Sequence, residues 1–283
     1  MSNSVPRSSY TLFMVISAIA KLDRGCKLGF KVIGDEVTVD HIINDYAITE
    51  IADNPVFEDL NGFKVYSAFR RTRTKRKGSG NKGDNCPLIY ALKGLEDLTV
   101  KRSTISQLVP NFRSILERFS SHTACHWDLI VCVPSSSPIG HIIAKRVARA
   151  TTSWEGIIAV DALQKTTIWD ARVQLNTLAD IAKGDKSTLF NNLKFQRAKN
   201  NDDWTAPYSL KTVPTKLRHY LRTLKHQKSY KSLNPNNILI VDDIVSSGTS
   251  LTQAHALIAA KYPNAEITGF TLFSSSSRGV RGI

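Results

Sequence analysis

Asn237-Ile238-Leu239-Ile240-Val241-Asp242-Asp243-Ile244-Val245-Ser246-Ser247-Gly248-Thr249-Ser250-Leu251 decides how this chain folds. The apolar residues Ile238 to Val241 read as a buried parallel strand, and they end at two adjacent carboxylates. A Ser/Gly/Thr turn follows, and Leu251 to Ala260 carries helical patterning. A turn containing glycine lets backbone N–H groups face an anion, and the helix start adds its partial positive charge. Carboxylates at the strand end suit the two hydroxyls of a ribose, directly or through a metal. Strand, acidic pair, small-residue turn and helix together describe a site for a sugar phosphate.

Outward from this run, the C-terminal two-thirds alternates strands and helices. Ser103–Ser121 places Ile105, Leu108, Phe112, Ile115, Leu116 and Phe119 at helical spacing, with Pro110 marking a kink or a restart. Asp128 to Pro134 is a short, continuous apolar strand. Ser135, Ser136 and Ser137 make a loop, and Gly140–Ala150 is a basic amphipathic helix. Gly156–Val160 and Glu266–Leu272 supply further strands. This alternation predicts an α/β fold, a mostly parallel twisted sheet flanked by helices. Ligands in such sheets sit beyond the carboxyl ends of the strands, where both Ser-rich loops fall.

Residues 161–236 exceed what a strand-to-helix link needs. Within them, Thr215–Lys228 sets Leu217, Tyr220, Leu221 and Leu224 on one face and bases on the other, which predicts a basic surface helix. The first hundred residues form an N-terminal α+β extension in this reading, with the core over 101–283 and an insertion at 161–236. Lys27–Asp40 alternates around Gly34-Asp35, a hairpin pattern. Phe63–Arg71 and Pro87–Leu92 read as strands on either side of the basic, Gly-rich loop 72–83.

With 283 residues, 42% hydrophobic and 22% charged, the composition is that of a globular chain, not a disordered one. The net charge of +14 favours polyanionic partners, either nucleic acid or a highly charged small substrate. The four cysteines, Cys26, Cys86, Cys125 and Cys132, lack CxxC spacing and fit a reducing cytoplasm. His122, Cys125 and His126 cluster, but no second ligand group stands at metal-site spacing, so a loop before a strand is the better reading. Leu12–Ala20 reads as a first helix rather than a leader, because the run is short and charged residues follow at once. No segment is long enough to cross a membrane.

The run Ile238–Leu251 closely resembles the phosphoribosyl pyrophosphate (PRPP) motif of type I phosphoribosyltransferases: apolar residues, two acids, two variable residues, a Ser/Thr-rich turn around a Gly, then a helix. By position, the resemblance implies that Asp242 and Asp243 contact the ribose 2′- and 3′-hydroxyls and meet Mg²⁺ indirectly, through Mg-PRPP. It implies that Ser246, Ser247, Gly248, Thr249 and Ser250 cradle the 5′-phosphate. The family's pyrophosphate loop follows its first core strand, a position that Ser135, Ser136 and Ser137 match here. Hypoxanthine- and adenine-type members carry an Asp where this chain has Ser246, which argues against purine salvage. The uracil type lacks one acid of the pair, and both are present here. The Ser246 pattern is nearer the orotate-type and competence-type branches. Leu88–Gly94 resembles the upstream segment of the competence type, although that type's Arg-Gly-rich stretch is absent.

Three functions stay open on the sequence: an active transferase using PRPP and Mg²⁺, a PRPP- or nucleotide-sensing regulator that binds nucleic acid through a basic surface, and a phage-defence effector using the same chemistry. An unbroken basic face from Arg70–Lys77 to the Thr215–Lys228 helix would favour the second. The expected partners are PRPP, an acceptor base or macromolecule, nucleic acid and a second copy of the chain, with no membrane.

Overall fold

The computed structural model describes residues 29–40, 45–72, 83, 85–123, 126–151, 153–228, 230, 234–276 and 279–283. In chain order, β1 (Gly29–Ile33) and β2 (Glu36–Asp40) are followed by β3 (Ala47–Ile48), β4 (Val56–Leu60) and β5 (Phe63–Arg71). Next come α1 (Pro87–Leu92), β6 (Thr99–Val100), α2 (Arg102–Thr123), β7 (Leu129–Cys132), α3 (Ile139–Ala150) and β8 (Ile157–Ala159). The region after β8 holds β9 (Leu163–Lys165), α4 (Ile168–Thr177), α5 (Lys183–Lys199) and β10 (Leu224–His226). The chain then runs through β11 (Asn237–Ile244), α6 (Thr249–Lys261), β12 (Glu266–Phe273) and β13 (Arg281–Gly282).

The apolar runs become the interior of one eight-stranded sheet, ordered β13-β4-β5-β12-β11-β7-β8, with β3 on β5. The five strands from β5 to β8 are parallel to their neighbours, while β4 and β13 add antiparallel pairs. The fold is thus α/β, with helices flanking mostly parallel strands. Three strands that precede residue 100, β3, β4 and β5, belong to this sheet. The Gly34-Asp35 hairpin forms, with Ile33 opposite Glu36, and β6 adds to β2.

Each face of the sheet buries a core. Leu239 and Val241 of β11, Ile130 of β7 and Phe270 of β12 pack under α2 and α3, against Phe119, Ile143 and Val147. Phe119 sits at the centre, its ring 4.6 Å from Phe270, 5.2 Å from Tyr66 and stacked 6.1 Å from Trp127. The opposite face sets Ile238, Ile240, Leu129 and Val131 against Leu251, Ala254 and Ile258 of α6. This division follows the period of two along a strand. Pro110 lies within α2, which runs on without a restart.

Two sequence expectations are corrected. Pro87–Leu92 is a helix, not a strand: Pro87 stands in its first turn, where a fixed φ and a missing N–H cost nothing. A six-residue apolar run has no periodicity strong enough to choose between the two. Thr215–Lys228 is not one helix either. It divides into a 3-10 turn, Thr215–Tyr220, and the strand β10, which pairs with β9. Its leucines serve two cores: Leu217 and Leu221 enter a small third cluster with Ile168, Leu175, Leu189 and Leu193, whereas Leu224 joins the α6 side of the sheet. Residues 168–221 therefore form a helical unit with its own core, moored to α6 where the Gln253 amide donates to Leu221 O at 3.1 Å. The expected helix at Leu12–Ala20 lies outside the described residues, as does nearly all of the 72–83 loop. No described helix is long and apolar enough to cross a membrane.

Candidate functional site

Strand β11 outruns its neighbour on one side only. The last β7–β11 pair is Val241 with Cys132, and Val133 N–H still donates to Val241 O at 2.9 Å. On the other side pairing continues through Asp242–Thr271 to Ile244–Phe273. The acidic pair thus stands at a step in the carboxyl edge of the sheet. Strand alternation turns Asp242 toward the α6 face and Asp243 toward the α2–α3 face.

The two carboxyls have different surroundings. Asp243 is buried at 4% exposure and forms an ion pair with the Lys93 ammonium, just beyond the end of α1. Its N–H donates to Asp242 Oδ1 at 2.8 Å. Asp242 is half-buried. Burial, and then the neighbouring Asp243 charge, push it up to about 7, against the Asp243 N–H, Lys93 and Lys165 of β9, which favour its ionised form. The folded-state pKa lies above the ordinary 3.8, so folding favours the neutral acid. That contribution is present at low pH and lost as the pH rises from about 4 through about 7. Without ligand, thermal unfolding of the wild type should lose stability over this window relative to Asp242→Asn. Identical pH slopes would exclude Asp242 as the titrating group.

The turn after the strand is fixed at its root. Val245 N–H donates to Phe273 O at 2.9 Å, and Arg71 Nη1, from the end of β5, donates to Val245 O at 3.3 Å. Ser246 and Ser247 are exposed, and the Ser247 and Thr249 hydroxyls lie 2.9 Å apart. Gly248 takes a left-handed φ of 75°, which favours glycine. It is backed so closely by Leu60 that a Cβ there would lie 3.0 Å from the leucine Cδ1. It occupies the N-cap of α6, so no side chain caps the helix's first N–H groups. Thr249 is half-buried and Ser250 exposed in that first turn.

Ser135, Ser136 and Ser137 leave β7, the strand beside β11, at the same edge. Ser135 and Ser136 are exposed. Ser135 Oγ accepts from Ser137 N–H at 3.3 Å, and Ser137 Oγ from Ile139 N–H at 3.4 Å. A Cβ on Gly140 would lie 3.9 Å from Val241 O, so the first turn of α3 sits against the end of β11. The parallel β7–β11 register brings the two Ser-rich loops to one edge with the acidic pair between them.

Two residues here are not evident from the sequence, Lys93 and Arg71. Lys93 falls in the Leu88–Gly94 stretch that carries the competence-type resemblance, which is the signal that could have singled it out. Arg71 ends a strand whose neighbour, β12, lies some two hundred residues later. Buried Cys86 and Cys132 are both pushed up to about 12, chiefly by burial, which leaves them protonated and inert. His122, in the last turn of α2, lies edge-on to Tyr66 at 5.8 Å; Cys125 lies outside the described residues. An apolar cavity of about 460 Å³ between α1, α2 and α3 touches none of the motif residues. Of the expected basic face, Arg73–Lys77 lies outside the described residues and the Thr215–Lys228 helix does not form.

No group of three or more His, Cys, Asp or Glu side chains suited to a metal occurs among the described residues. Mg²⁺ asks for less, since it is held through one or two carboxylates with substrate phosphates and water. Half-buried Asp242 at the step in the edge fits that demand, with Asp243 beside it buried against Lys93. No protein-family model matches the chain, and no curated protein matches it either.

Proposed function

We propose that this edge binds PRPP with Mg²⁺ and transfers phosphoribose to an acceptor, releasing pyrophosphate. One observation carries the reading: loops from two adjacent parallel strands open at one edge, an acidic pair lies between them, and the uncapped start of α6 follows. In the transfer, the C1′–O bond to pyrophosphate breaks, the electron pair leaves with the pyrophosphate oxygen, and the acceptor nucleophile bonds to C1′. Positioning and charge neutralisation supply most of the rate in such chemistry.

Asp242 and Asp243 accept hydrogen bonds from the 2′- and 3′-hydroxyls and fix the ribose. N–H groups and hydroxyls of Ser246, Ser247, Gly248, Thr249 and Ser250 hold the 5′-phosphate at the helix start. Ser135, Ser136 and Ser137 offer donors to the pyrophosphate. Lys93, paired with Asp243, adds positive charge to that side of the site. Mg²⁺ would meet Asp242 and Asp243 indirectly, through the substrate, and the ion's chemistry there is to neutralise the pyrophosphate. No carboxylate stands at position 246, so the acceptor is not one that needs an acid there to handle a purine ring proton.

The test is a titration with PRPP and Mg²⁺, following pyrophosphate release against a panel of bases, nucleosides and RNA. Release with one acceptor is the expected result. Binding without turnover on any acceptor would favour a PRPP-sensing regulator, and failure to bind PRPP would overturn both. A defence effector shares these residues and would declare itself by a macromolecular acceptor.

A further inference from the structure

The helical unit at 168–221 places an exposed aromatic surface among cations. Trp169, in the first turn of α4, is 51% exposed and stands outside the unit's core, which Ile168, Ala171 and Leu175 of the same helix fill. Its ring meets Trp204 edge-on, 5.8 Å between centroids at 84°. The Arg172 guanidinium lies 5.6 Å from the Trp169 ring and 4.8 Å from that of Trp204, and Arg197 lies 4.7 Å from Trp204. One turn further along, Val173 is 45% exposed and extends the apolar strip.

The platform is held rigidly. Thr167 and Asp170 form a reciprocal cap, and Trp169 N–H donates to Trp204 O at 3.0 Å. The nearby acids are engaged. Asp170 pairs with Lys225 at 2.6 Å, Asp202 with Arg197 at 3.1 Å, and Asp203 accepts from Thr205 N–H and its hydroxyl, both at 2.7 Å. Residues 161–236 carry fourteen Lys and Arg against six Asp and no Glu, the greater part of the chain's excess of +14.

A fixed, open indole buttressed by guanidinium groups in a basic field is how proteins hold unpaired bases: the ring stacks a base and the cations track the phosphates. We infer that the Trp169–Arg172–Trp204–Arg197 surface binds single-stranded nucleic acid. An acidic peptide would meet the charge but would leave the indole face unused, and a duplex keeps its bases stacked within itself. This inference does not depend on the phosphoribosyl reading.

The experiment uses the full chain and a labelled oligouridine, followed by fluorescence anisotropy and by quenching of the protein's indole emission. Binding that weakens steeply with salt is expected, with quenching as bases cover Trp169. Trp169→Ala should weaken binding about tenfold or more, Trp169→Phe should keep most of it, and Arg172→Ala should lower the salt slope by about one. Duplex of equal length and polyglutamate should bind markedly less well than the single strand. No binding, unquenched indole emission in the unmodified protein, equal affinity for Trp169→Ala, or equal competition by duplex or polyglutamate would each overturn the inference.

Discussion

Replacing Asp242 and Asp243 together by asparagine should abolish PRPP-dependent pyrophosphate release and leave the fold intact. Asparagine keeps the shape of each side chain and an oxygen that can still accept. What disappears is the charge, and a hydrogen bond to a charged acceptor is worth about 1.5–3 kcal/mol. With two such bonds weakened, affinity for Mg-PRPP should fall at least about a hundredfold by calorimetry. Folding should not suffer, because half-buried Asp242 and buried Asp243 are charges the sheet holds at a cost. Lys93, 19% exposed, loses its partner but can turn its ammonium to solvent. Unfolding curves should therefore show no loss of stability. Turnover surviving the double change would show that the ribose is held elsewhere.

Lys93→Met acts in the opposite direction, on the fold. Methionine fills the space of the lysine stem, but the Asp243 carboxyl is left at 4% exposure without its partner and with the Asp242 carboxyl beside it. Breaking a buried pair by removing one partner costs about 3–5 kcal/mol. The lower figure, about 3 kcal/mol, applies because Lys93 is partly open to water. Denaturant unfolding should show this loss, and adding Asp243→Asn should restore most of it, because no uncompensated charge then stays in the sheet. If the single change costs nothing, the ion pair does not hold Asp243. If the second change restores nothing, the loss comes from packing at the end of α1.

The elements that hold the site were legible because each is governed by its own residues. Ile238–Val241 and Leu129–Cys132 are apolar on both faces, which only a doubly covered strand explains, and Leu108, Ile115, Leu116 and Phe119 repeat at the helical period. Gly248 within its Ser/Thr turn was legible as a turn, and its left-handed φ of 75° fits that reading. The elements misread are those whose partners lie far off in sequence. Pro87–Leu92 is too short to show a period, and its helix is settled by the core that receives Leu88 and Ile89. Thr215–Lys228 imitates a helix because its leucines happen to fall at helical spacing while serving two separate clusters. The acidic pair could be read from position alone, whereas the ion pair with Lys93 spans 150 residues and depends on where α1 docks.

The step at the end of β11 makes the site sensitive to parity. Odd and even positions of this strand face different helices, so the distinction between Asp242 and Asp243 rests on counting from Ile238. Adding or deleting one residue within Ile238–Val241 would exchange the two acids, sending the one near Lys165 toward Lys93 and the reverse. Two residues would restore the facing but shift the pair against β7. A change of length within the strand should therefore cost the site even where every apolar residue is kept.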